Sequence, residues 1–240
     1  MSWLAGKVIE NRHWTEALFS LRVEGVDLDF EAGQFVRIAL DIDGERVARP
    51  FSFVNPPHDP ALEFYGIVVP EGPLSPRLAR LQPGETLYVA SNPAGFLVMS
   101  EVRDAETLWL MATGTGIAPF VSILRTEAPW KRFRNVVLVH AVRHANELVY
   151  RDVVEKMNLN YVSFVSRESA MGSLGGRIPA AVRDGRLEQE AGIKLAPETS
   201  MVMLCGNPDM LKDTTAALAE RGLRKHRRRN PGHIVVESFW

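Results

Sequence analysis

Cysteine is almost absent from this sequence: Cys205 is the single cysteine among 240 residues. One thiol cannot form an internal disulfide, and it cannot supply the several thiolates that an iron–sulfur cluster or a structural zinc site requires. We therefore expect no disulfide framework and no metal site. A chain with so little cysteine is typical of a reducing compartment, and we expect the cytoplasm.

Long apolar runs are also missing. No stretch reaches the roughly 18 apolar residues that a membrane span needs, and residues 1–10 contain no long apolar segment after a basic start. The sequence therefore predicts neither a secretory signal nor a membrane anchor. A formal net charge of only −1 argues against a nucleic-acid-binding or membrane-binding role for the whole surface.

Charge is distributed unevenly between the two halves of the chain. Residues 1–100 carry 8 Lys+Arg against 13 Asp+Glu, whereas residues 101–240 carry 20 against 16. This asymmetry indicates that the second half handles an anion or an acidic partner. With this length, two domains of about 100 to 140 residues are expected.

The first hundred residues are typical of a small antiparallel barrel. Short strands bounded by turn residues recur along it, at 35–40, 51–54, 62–69 and 86–90, and Asp41-Ile-Asp-Gly-Glu45 supplies turn chemistry. One short helix is predicted, with Ser75 as its cap, Pro76 in its first turn and an apolar face of Leu74, Leu78 and Leu81. Its N-terminus would offer N–H groups to an anion, but the residues of this segment alone favour a plain connector helix.

From about residue 101 the pattern changes to buried strands that alternate with helices. Strands are predicted at 107–112, 136–140, 161–165, 201–204 and 234–236, and helices through 120–124, near 147–156 and over 208–220. Continuous apolar strands alternating with helices predict a parallel sheet covered on both faces. We place the domain boundary near residues 100–104.

Glycine-bearing turns follow two of these buried strands. Gly114-Thr-Gly116 comes after the first strand of the second half, and Cys205-Gly-Asn-Pro208 comes after the strand at 201–204. Ligands of open parallel sheets bind outside the carboxyl ends of the strands, so two such turns favour a nucleotide site. A tight turn without a ligand remains an alternative, as does a purely structural role for a buried Cys205.

Arginines follow three further strand ends or turns of the second half, at Arg143, Arg167 and Arg177. The planar guanidinium matches phosphate geometry, and the 2′-phosphate of NADP needs such partners. Three arginines on the ligand edge therefore favour NADP over NAD. In the first half, Arg49-Pro-Phe-Ser52 combines a cation, an aromatic ring and a hydroxyl, the groups that a flavin site in a barrel needs.

These segments occur in an order that resembles the bacterial ferredoxin(flavodoxin)–NADP reductases, in particular a subgroup that ends with tryptophan. The resemblance covers essentially the whole chain. It depends on Arg49–Ser52, Gly72–Leu78, Gly114–Pro119, Ser166–Glu168, Gly176–Pro179, Cys205–Pro208 and the end Glu237-Ser-Phe-Trp240. The family implies an FAD-binding barrel over residues 1–100 and an NADP(H)-binding α/β domain over residues 101–240.

The resemblance also implies roles for individual residues. FAD would contact Arg49, Pro50, Phe51, Ser52, Tyr65, Gly66, Ile67, Val68, Pro73, Leu74, Ser75, Thr115, Phe239 and Trp240. NADP would contact Gly114, Val142, Arg143, Ser166, Arg167, Arg177, Cys205, Gly206, Asn207 and Asp209. Catalysis would involve Ser52 near the flavin N5, Cys205 and Glu237 in the nicotinamide pocket, and Phe239 over the flavin face; no side chain need act as a nucleophile.

The implied enzyme is a ferredoxin/flavodoxin–NADP(+) reductase, and we expect a cytoplasmic monomer whose partners are ferredoxin, flavodoxin or both. A reductase component of an oxygenase system is an alternative with the same fold. A non-catalytic flavin- or nucleotide-binding regulator is an alternative of another class. The basic run Arg224-Lys-His-Arg-Arg-Arg229 either docks an acidic electron carrier or forms a solvated loop.

Overall fold

The computed structural model describes residues 2–238 and separates the chain into two compact units. The first unit contains the residues up to Val98 and also Ala118–Thr126. The second contains Met99–Ile117 and the residues from Glu127 onward. The division is therefore not a single cut in the sequence, because a segment of the second half folds with the first unit.

The first unit is a curled antiparallel sheet with two short helices. Its elements are β1 (Trp3–His13), β2 (Leu18–Glu24), β3 (Phe35–Ile42), β4 (Glu45–Ser52), β5 (Leu62–Ile67), α1 (Ser75–Leu78), β6 (Thr86–Ala90) and α2 (Ala118–Leu124). The strand order is β4-β3-β6-β1-β2-β5. The turn between β3 and β4 has positive φ at both Asp43 (51°) and Gly44 (83°), which is typical of the type I′ hairpin that the Asp-Gly pair predicts.

The two edge strands of this sheet approach each other. Phe53, directly after β4, forms an antiparallel bridge with Phe64 of β5, and the rings of these two residues lie 5.6 Å apart between centroids. Around them is a core of fully buried side chains that includes Phe19, Leu21 and Leu87. The predicted antiparallel barrel is confirmed.

The helix α1 is shorter than predicted and is capped differently. It ends at Leu78, and the residue before its first turn is Leu74, whose side chain makes no capping hydrogen bond. The prediction that Ser75 caps the helix is wrong. The Ser75 hydroxyl instead accepts a hydrogen bond from the backbone N–H of Val69 at 2.8 Å, so the oxygen is committed to the preceding loop.

The second unit is a six-stranded parallel sheet flanked by helices. Its elements are β7 (Thr107–Thr113), α3 (Ala128–Arg132), β8 (Asn135–Val142), α4 (Arg151–Val154), β9 (Asn160–Val165), β10 (Leu174–Gly175), α5 (Ile178–Asp184), α6 (Arg186–Ala191), β11 (Ser200–Gly206), α7 (Pro208–Ala219) and β12 (Ile234–Ser238). The order is β10-β9-β8-β7-β11-β12. The predicted α/β parallel sheet is confirmed.

From β7 the chain first adds β8, β9 and β10 toward one edge of the sheet. It then returns to the opposite side of β7 and adds β11 and β12 toward the other edge. β8 pairs with one edge of β7 and β11 with the other. This is a topological switch point, the place where open α/β sheets bind ligands at the carboxyl ends of their strands. Both glycine-bearing turns follow the strands that meet there.

Some local predictions need correction. The helix predicted near 147–156 is only four residues long, because Tyr150 directly before it has a φ of 64° and a helix cannot continue through that conformation. The long strands β1 and β2 were not predicted. β1 carries a register shift between Val8 and Glu10, which breaks the period-two alternation by which a strand is identified.

Within residues 2–238, no helix is both long and apolar enough to cross a membrane. The same residues contain no group of three or more His, Cys, Asp or Glu side chains placed to hold a metal ion.

Candidate functional site

In the first unit, the predicted flavin-binding residues lie on two strands that meet at the edge of the sheet. Arg49–Ser52 form the end of β4, and Tyr65–Ile67 form the end of β5. A Cβ atom built on Gly66 would lie 2.7 Å from Cε1 of Phe51. The Phe51 ring therefore lies directly on the Gly66 backbone, and only glycine fits beneath it.

Ser52 is the last residue of β4, and only 6% of its surface is exposed. Its hydroxyl oxygen is buried and has no hydrogen-bond partner among the residues that the structure describes. A buried hydroxyl without a partner is costly in a folded protein, since such groups are normally paired. The position thus suits a hydroxyl that completes its hydrogen bond with a bound molecule.

Arg49 points from the same strand toward solvent. Its Nη1 donates a hydrogen bond to the carbonyl of Ala48 at 2.8 Å, and it forms no ion pair with any described residue. Arg125 in the same unit is different, because its guanidinium lies 3.1 Å from the Glu63 carboxylate. The positive charge of Arg49 is consequently available for an anionic group.

The third predicted flavin-binding segment, Pro73–Ser75, leads into α1. The Ser75–Val69 hydrogen bond joins this segment to the loop that follows β5, next to Val68. Leu74 is 2% exposed and its side chain packs in the core, so that only its backbone is open to a ligand. Arg77 holds the segment from within α1, donating to the Pro73 carbonyl at 2.7 Å.

The other end of α1 is held by β1. The side-chain amide of Asn11 donates to the carbonyls of Leu78, Ala79 and Leu81 at 3.2, 3.1 and 2.9 Å. These carbonyls belong to the end of a helix, where no intrahelical donor is left for them. One polar side chain therefore ties the position of α1 to the barrel wall. Sequence reasoning missed Asn11, because its partners are some 67 to 70 residues away along the chain.

In the second unit, the two glycine-bearing turns are packed against each other at the switch point. A Cβ on Gly116 would lie 2.6 Å from the Cys205 carbonyl oxygen. Gly206 has a φ of 136°, and a Cβ there would lie 2.2 Å from Oγ1 of Thr113. Gly116 thus packs on the backbone at Cys205, Gly206 packs on Thr113, and neither glycine position has room for a side chain.

Thr113 also fixes the second turn by a hydrogen bond. Its Oγ1 accepts from the backbone N–H of Asn207 at 3.0 Å. The Asn207 side chain then caps α7, with Oδ1 accepting from the N–H groups of Asp209 (2.9 Å) and Met210 (3.2 Å). Thr113 was not predicted as a site residue; its place directly before Gly114 is the one signal in the sequence that points to it.

The three predicted arginines follow three consecutive strand ends of the sheet. Arg143 follows β8, Arg167 follows β9, and Arg177 stands directly before α5 after β10. The backbone N–H of Arg167 donates to the Arg143 carbonyl at 2.9 Å, and Ser166 bonds the Val142 carbonyl through both its N–H and its hydroxyl, at 3.1 Å each. The pairing of β8 with β9 thus continues beyond the strand ends to Arg143 and Arg167.

All three arginines are exposed, and their guanidinium groups form no ion pair with the residues described. The Glu168 carboxylate next to Arg167 is engaged elsewhere: it accepts from the Ala145 N–H at 2.6 Å and contacts His144. The Ala145 hydrogen bond and then the His144 contact hold the pKa of Glu168 below its usual value. The unit therefore offers three uncompensated cations along one edge.

Cys205 and Glu237 occupy matching positions on the parallel strands β11 and β12. Cys205 is fully buried. Burial raises the pKa of its thiol well above the usual value, and the nearby Glu237 carboxylate raises it further. The thiol is accordingly protonated and uncharged at neutral pH. Phe239 and Trp240 lie outside the described residues.

The basic run at 224–229 is not a loop free in solvent. The His226 N–H donates to the Ile234 carbonyl at 2.7 Å, and the Arg224 N–H donates to Nδ1 of His233 at 3.0 Å. Arg228 donates to Glu101 at 2.9 and 2.6 Å, and this hydrogen bonding holds the pKa of Glu101 below its usual value. The run is folded against the beginning of β12, and one of its charges is neutralised.

Comparison with known families places both units among oxidoreductases. Residues 4–97 match the oxidoreductase FAD-binding domain family, and residues 110–216 match the oxidoreductase NAD-binding domain family.

Individual relatives match this chain along its whole length. The flavodoxin/ferredoxin–NADP reductases of Shigella flexneri and Escherichia coli (strain K12) are 51% and 50% identical over 245 residues, covering 99% of this chain and of each relative. A crystal structure of a ferredoxin NADP+ reductase from Neisseria gonorrhoeae with bound FAD and NADP is 31% identical, with a TM-score of 0.97 and full coverage of both chains.

Proposed function

This chain belongs to the bacterial flavodoxin/ferredoxin–NADP reductase family, and we propose that it moves hydride between NADP(H) and FAD and single electrons to or from a ferredoxin or flavodoxin. Bound FAD supplies the exchange between two-electron and one-electron chemistry, which no side chain offers. The protein contributes binding, orientation and electrostatics. The observation that carries the proposal is that two separate regions of one chain, residues 4–97 and 110–216, match an FAD-binding and an NAD-binding oxidoreductase domain family.

We assign FAD to residues 1–100. The unpartnered hydroxyl of Ser52, the flat surface of the Phe51 ring over Gly66 and the uncompensated charge of Arg49 fit its isoalloxazine and its pyrophosphate. In this assignment Arg49 binds the pyrophosphate. Ser52 would donate or accept a hydrogen bond beside N5, and Phe51 would stack on the ring. Pro50, Tyr65–Val68 and Pro73–Ser75 complete the lining.

We assign NADP(H) to residues 101–240. The glycine turns at the switch point let a dinucleotide approach the backbone closely. Arg167 and Arg177 bind the 2′-phosphate, with Arg143 nearby, because three exposed cations without carboxylate partners follow consecutive strand ends. Gly114, Val142, Ser166, Gly206, Asn207 and Asp209 line the rest of this site.

Cys205 and Glu237 shape the nicotinamide pocket in this proposal. A neutral, fully buried thiol supplies an uncharged surface for the ring, and it does not act as a nucleophile. Phe239 and Trp240, together with Thr115, remain proposed flavin contacts from the sequence. Removing residues 239 and 240 is expected to change nicotinamide affinity and coenzyme preference, and unchanged pyridine-nucleotide binding would contradict their role.

We propose a cytoplasmic monomer whose partner is an acidic electron carrier, ferredoxin or flavodoxin. Four exposed cations of the basic run, Arg224, Lys225, Arg227 and Arg229, have no ion pair with the described residues. Such a group steers an acidic protein toward the surface, and this attraction weakens as salt is added. Replacing Arg227 and Arg229 by Gln should slow reduction of a ferredoxin at low salt and flatten its salt dependence.

Coenzyme preference tests the assignment of the second site. Anaerobic NADPH should bleach the bound flavin rapidly, which a non-catalytic nucleotide-binding regulator would not allow. Arg167→Ala and Arg177→Ala should each raise the KM for NADPH about tenfold to hundredfold and leave the KM for NADH nearly unchanged, because NADH has no 2′-phosphate.

Arg134→Ala is a matched control for these variants. Arg134 is an exposed arginine of the same unit, 3.6 Å from Glu106, and it does not follow a strand. Its replacement should not change the preference between the coenzymes. An equal loss of NADPH and NADH affinity in the Arg167 and Arg177 variants would overturn the assignment.

A further inference from the structure

His140 is a buried polar residue in the middle of the second unit that the proposed function does not use. It lies on β8, opposite Ala112 of β7 and Ser163 of β9, and its side chain is fully buried. Its Nε2 atom lies 3.1 Å from the carbonyl oxygen of Gly114, the first residue of the turn that follows β7. Nδ1 is buried and has no hydrogen-bond partner among residues 2–238.

The contact determines which nitrogen of the ring carries hydrogen. A carbonyl oxygen only accepts hydrogen bonds, so Nε2 must be the donor. Burial lowers the pKa of His140 to about 4, and the ring is therefore neutral at pH 7. Nδ1 is then the unprotonated nitrogen. Nδ1, the buried atom without a described partner, is thus an uncharged acceptor and not a charged donor. The free-energy cost of burying it is therefore small.

The same contact constrains the turn. The peptide between Gly114 and Thr115 is planar and trans, so its C=O and N–H groups point in opposite directions. A Gly114 carbonyl held toward His140 thus aims the Thr115 N–H away from the sheet interior. Gly114 has a φ of 53° and begins the 3-10 turn Gly114–Ile117, so its carbonyl also faces the backbone of that turn, and His140 adds a side-chain donor from β8.

We propose that His140 is a positioning residue for NADP(H) binding, which fixes the Gly114–Thr115 peptide through its hydrogen bond to the Gly114 carbonyl. The proposal rests on the assignment of NADP(H) to this unit. His140 does not touch the nucleotide. It acts on the turn at the switch point, where the opposite turn is already held by Thr113.

The test compares two replacements of similar size. In His140→Gln the amide nitrogen reaches about as far as Nε2 and can donate to the same carbonyl. His140→Leu fills the space but has no donor, so the Gly114 carbonyl loses its side-chain hydrogen bond. We expect His140→Leu to raise the KM for NADPH about tenfold with a smaller change in kcat, and His140→Gln to recover most of that loss.

Two readouts separate positioning from a plain structural role. Most of the proposed FAD contacts belong to the first unit and Thr115 is the one beside Gly114, so FAD affinity should change far less in both variants than the KM for NADPH. Nitrogen-15 NMR of the histidine rings should find His140 of the unaltered protein neutral and protonated at Nε2. Equal KM values for NADPH in the Gln and Leu variants, or protonation at Nδ1, would overturn the proposal.

The outcome is distinguishable from failure of the proposed function. If NADPH does not bleach the flavin of the unaltered protein, the assigned activity is wrong, whatever His140 does. If bleaching is normal and His140→Leu keeps the original KM, only the role of His140 is wrong. Should His140→Leu fail to fold, His140→Asn replaces it, since its shorter amide cannot reach Gly114. An Asn variant that binds NADPH as tightly as the Gln variant would then count against the proposal.

Discussion

The ring of Phe51 lies on the backbone of Gly66, so close that a Cβ atom at residue 66 would be 2.7 Å from Cε1 of the ring. The two residues are on β4 and β5, strands at opposite ends of the sheet order. Their contact therefore exists only because the sheet curls. It connects two of the three segments that we assign to FAD.

Replacing Gly66 by alanine tests that connection. The added methyl group would displace the Phe51 ring, and we expect FAD affinity to fall about tenfold or more because the stacking surface moves. Flavin fluorescence titration of the apoprotein measures the change. Gly175→Ala is the control, since a Cβ there has open space around it and the backbone needs no unusual φ. Unaltered FAD affinity in Gly66→Ala would contradict the role of Phe51.

The variant Ser52→Ala tests whether the Ser52 hydroxyl contributes to the reaction with NADPH and not to the stability of the fold. The hydroxyl has no partner among the described residues, so its removal should not lower the free energy of unfolding of the apoprotein. We expect the rate of flavin bleaching by NADPH to fall about tenfold to hundredfold, because a hydrogen bond near the reacting nitrogen is lost. Anaerobic stopped-flow absorbance measures this rate.

Ser20→Ala is the opposite case and serves as its control. The Ser20 hydroxyl accepts a hydrogen bond from Nε1 of Trp14 at 3.1 Å. Its loss should destabilise the protein by about 1 kcal/mol and leave the bleaching rate unchanged. A Ser52→Ala enzyme as fast as the unaltered one would remove Ser52 from the reaction.

Asn11 should matter for stability through the three carbonyls that it binds at the end of α1. Asn11→Ala leaves them without that donor and should cost about 1–3 kcal/mol in denaturant unfolding. Asn11→Asp has the same size but puts an oxygen where the amide nitrogen was, so at pH 7 it should be less stable than the alanine variant. An Asp variant as stable as the original protein would show that the amide donates nothing there.

The lowered pKa of His140 predicts that the stability of the folded protein depends on pH. Its pKa is about 4 in the folded protein and about 6.5 when unfolded, so only the unfolded chain binds this proton between those values. Stability should therefore be highest above pH 6.5 and fall by roughly 3 kcal/mol as pH drops to 4. His233, whose pKa is also lowered by burial, contributes in the same direction.

The measurement is denaturant unfolding of the unaltered protein and of His140→Gln from pH 7.5 to pH 4.5. The difference between them isolates His140, because His233 is present in both. The stability of the Gln variant should depend less steeply on pH. Parallel curves would mean that His140 is protonated as easily in the folded state as in the unfolded chain.

Much of the architecture follows from local patterns. The strands of the second unit are continuous apolar runs, which predict a parallel sheet without knowledge of distant contacts, and Asp43-Gly44 predicts its own turn. The secondary-structure predictions that were wrong or missing also have local causes. β1 was missed because a register shift interrupts its alternation, and the helix before residue 156 is short because Tyr150 takes a left-handed conformation that no residue pattern announces.

The amino-acid sequence by itself determined the family, the two cofactors and the segments that we assign to them, because each motif is a short run whose residue types match the chemistry of flavin, phosphate or nicotinamide. Only the tertiary structure decided which polar groups are paired. Ser52 has no described partner, Asn11 holds α1 and His140 holds Gly114. Such pairings join atoms that are distant along the chain, and burial, which makes them energetically important, exists only in the folded protein.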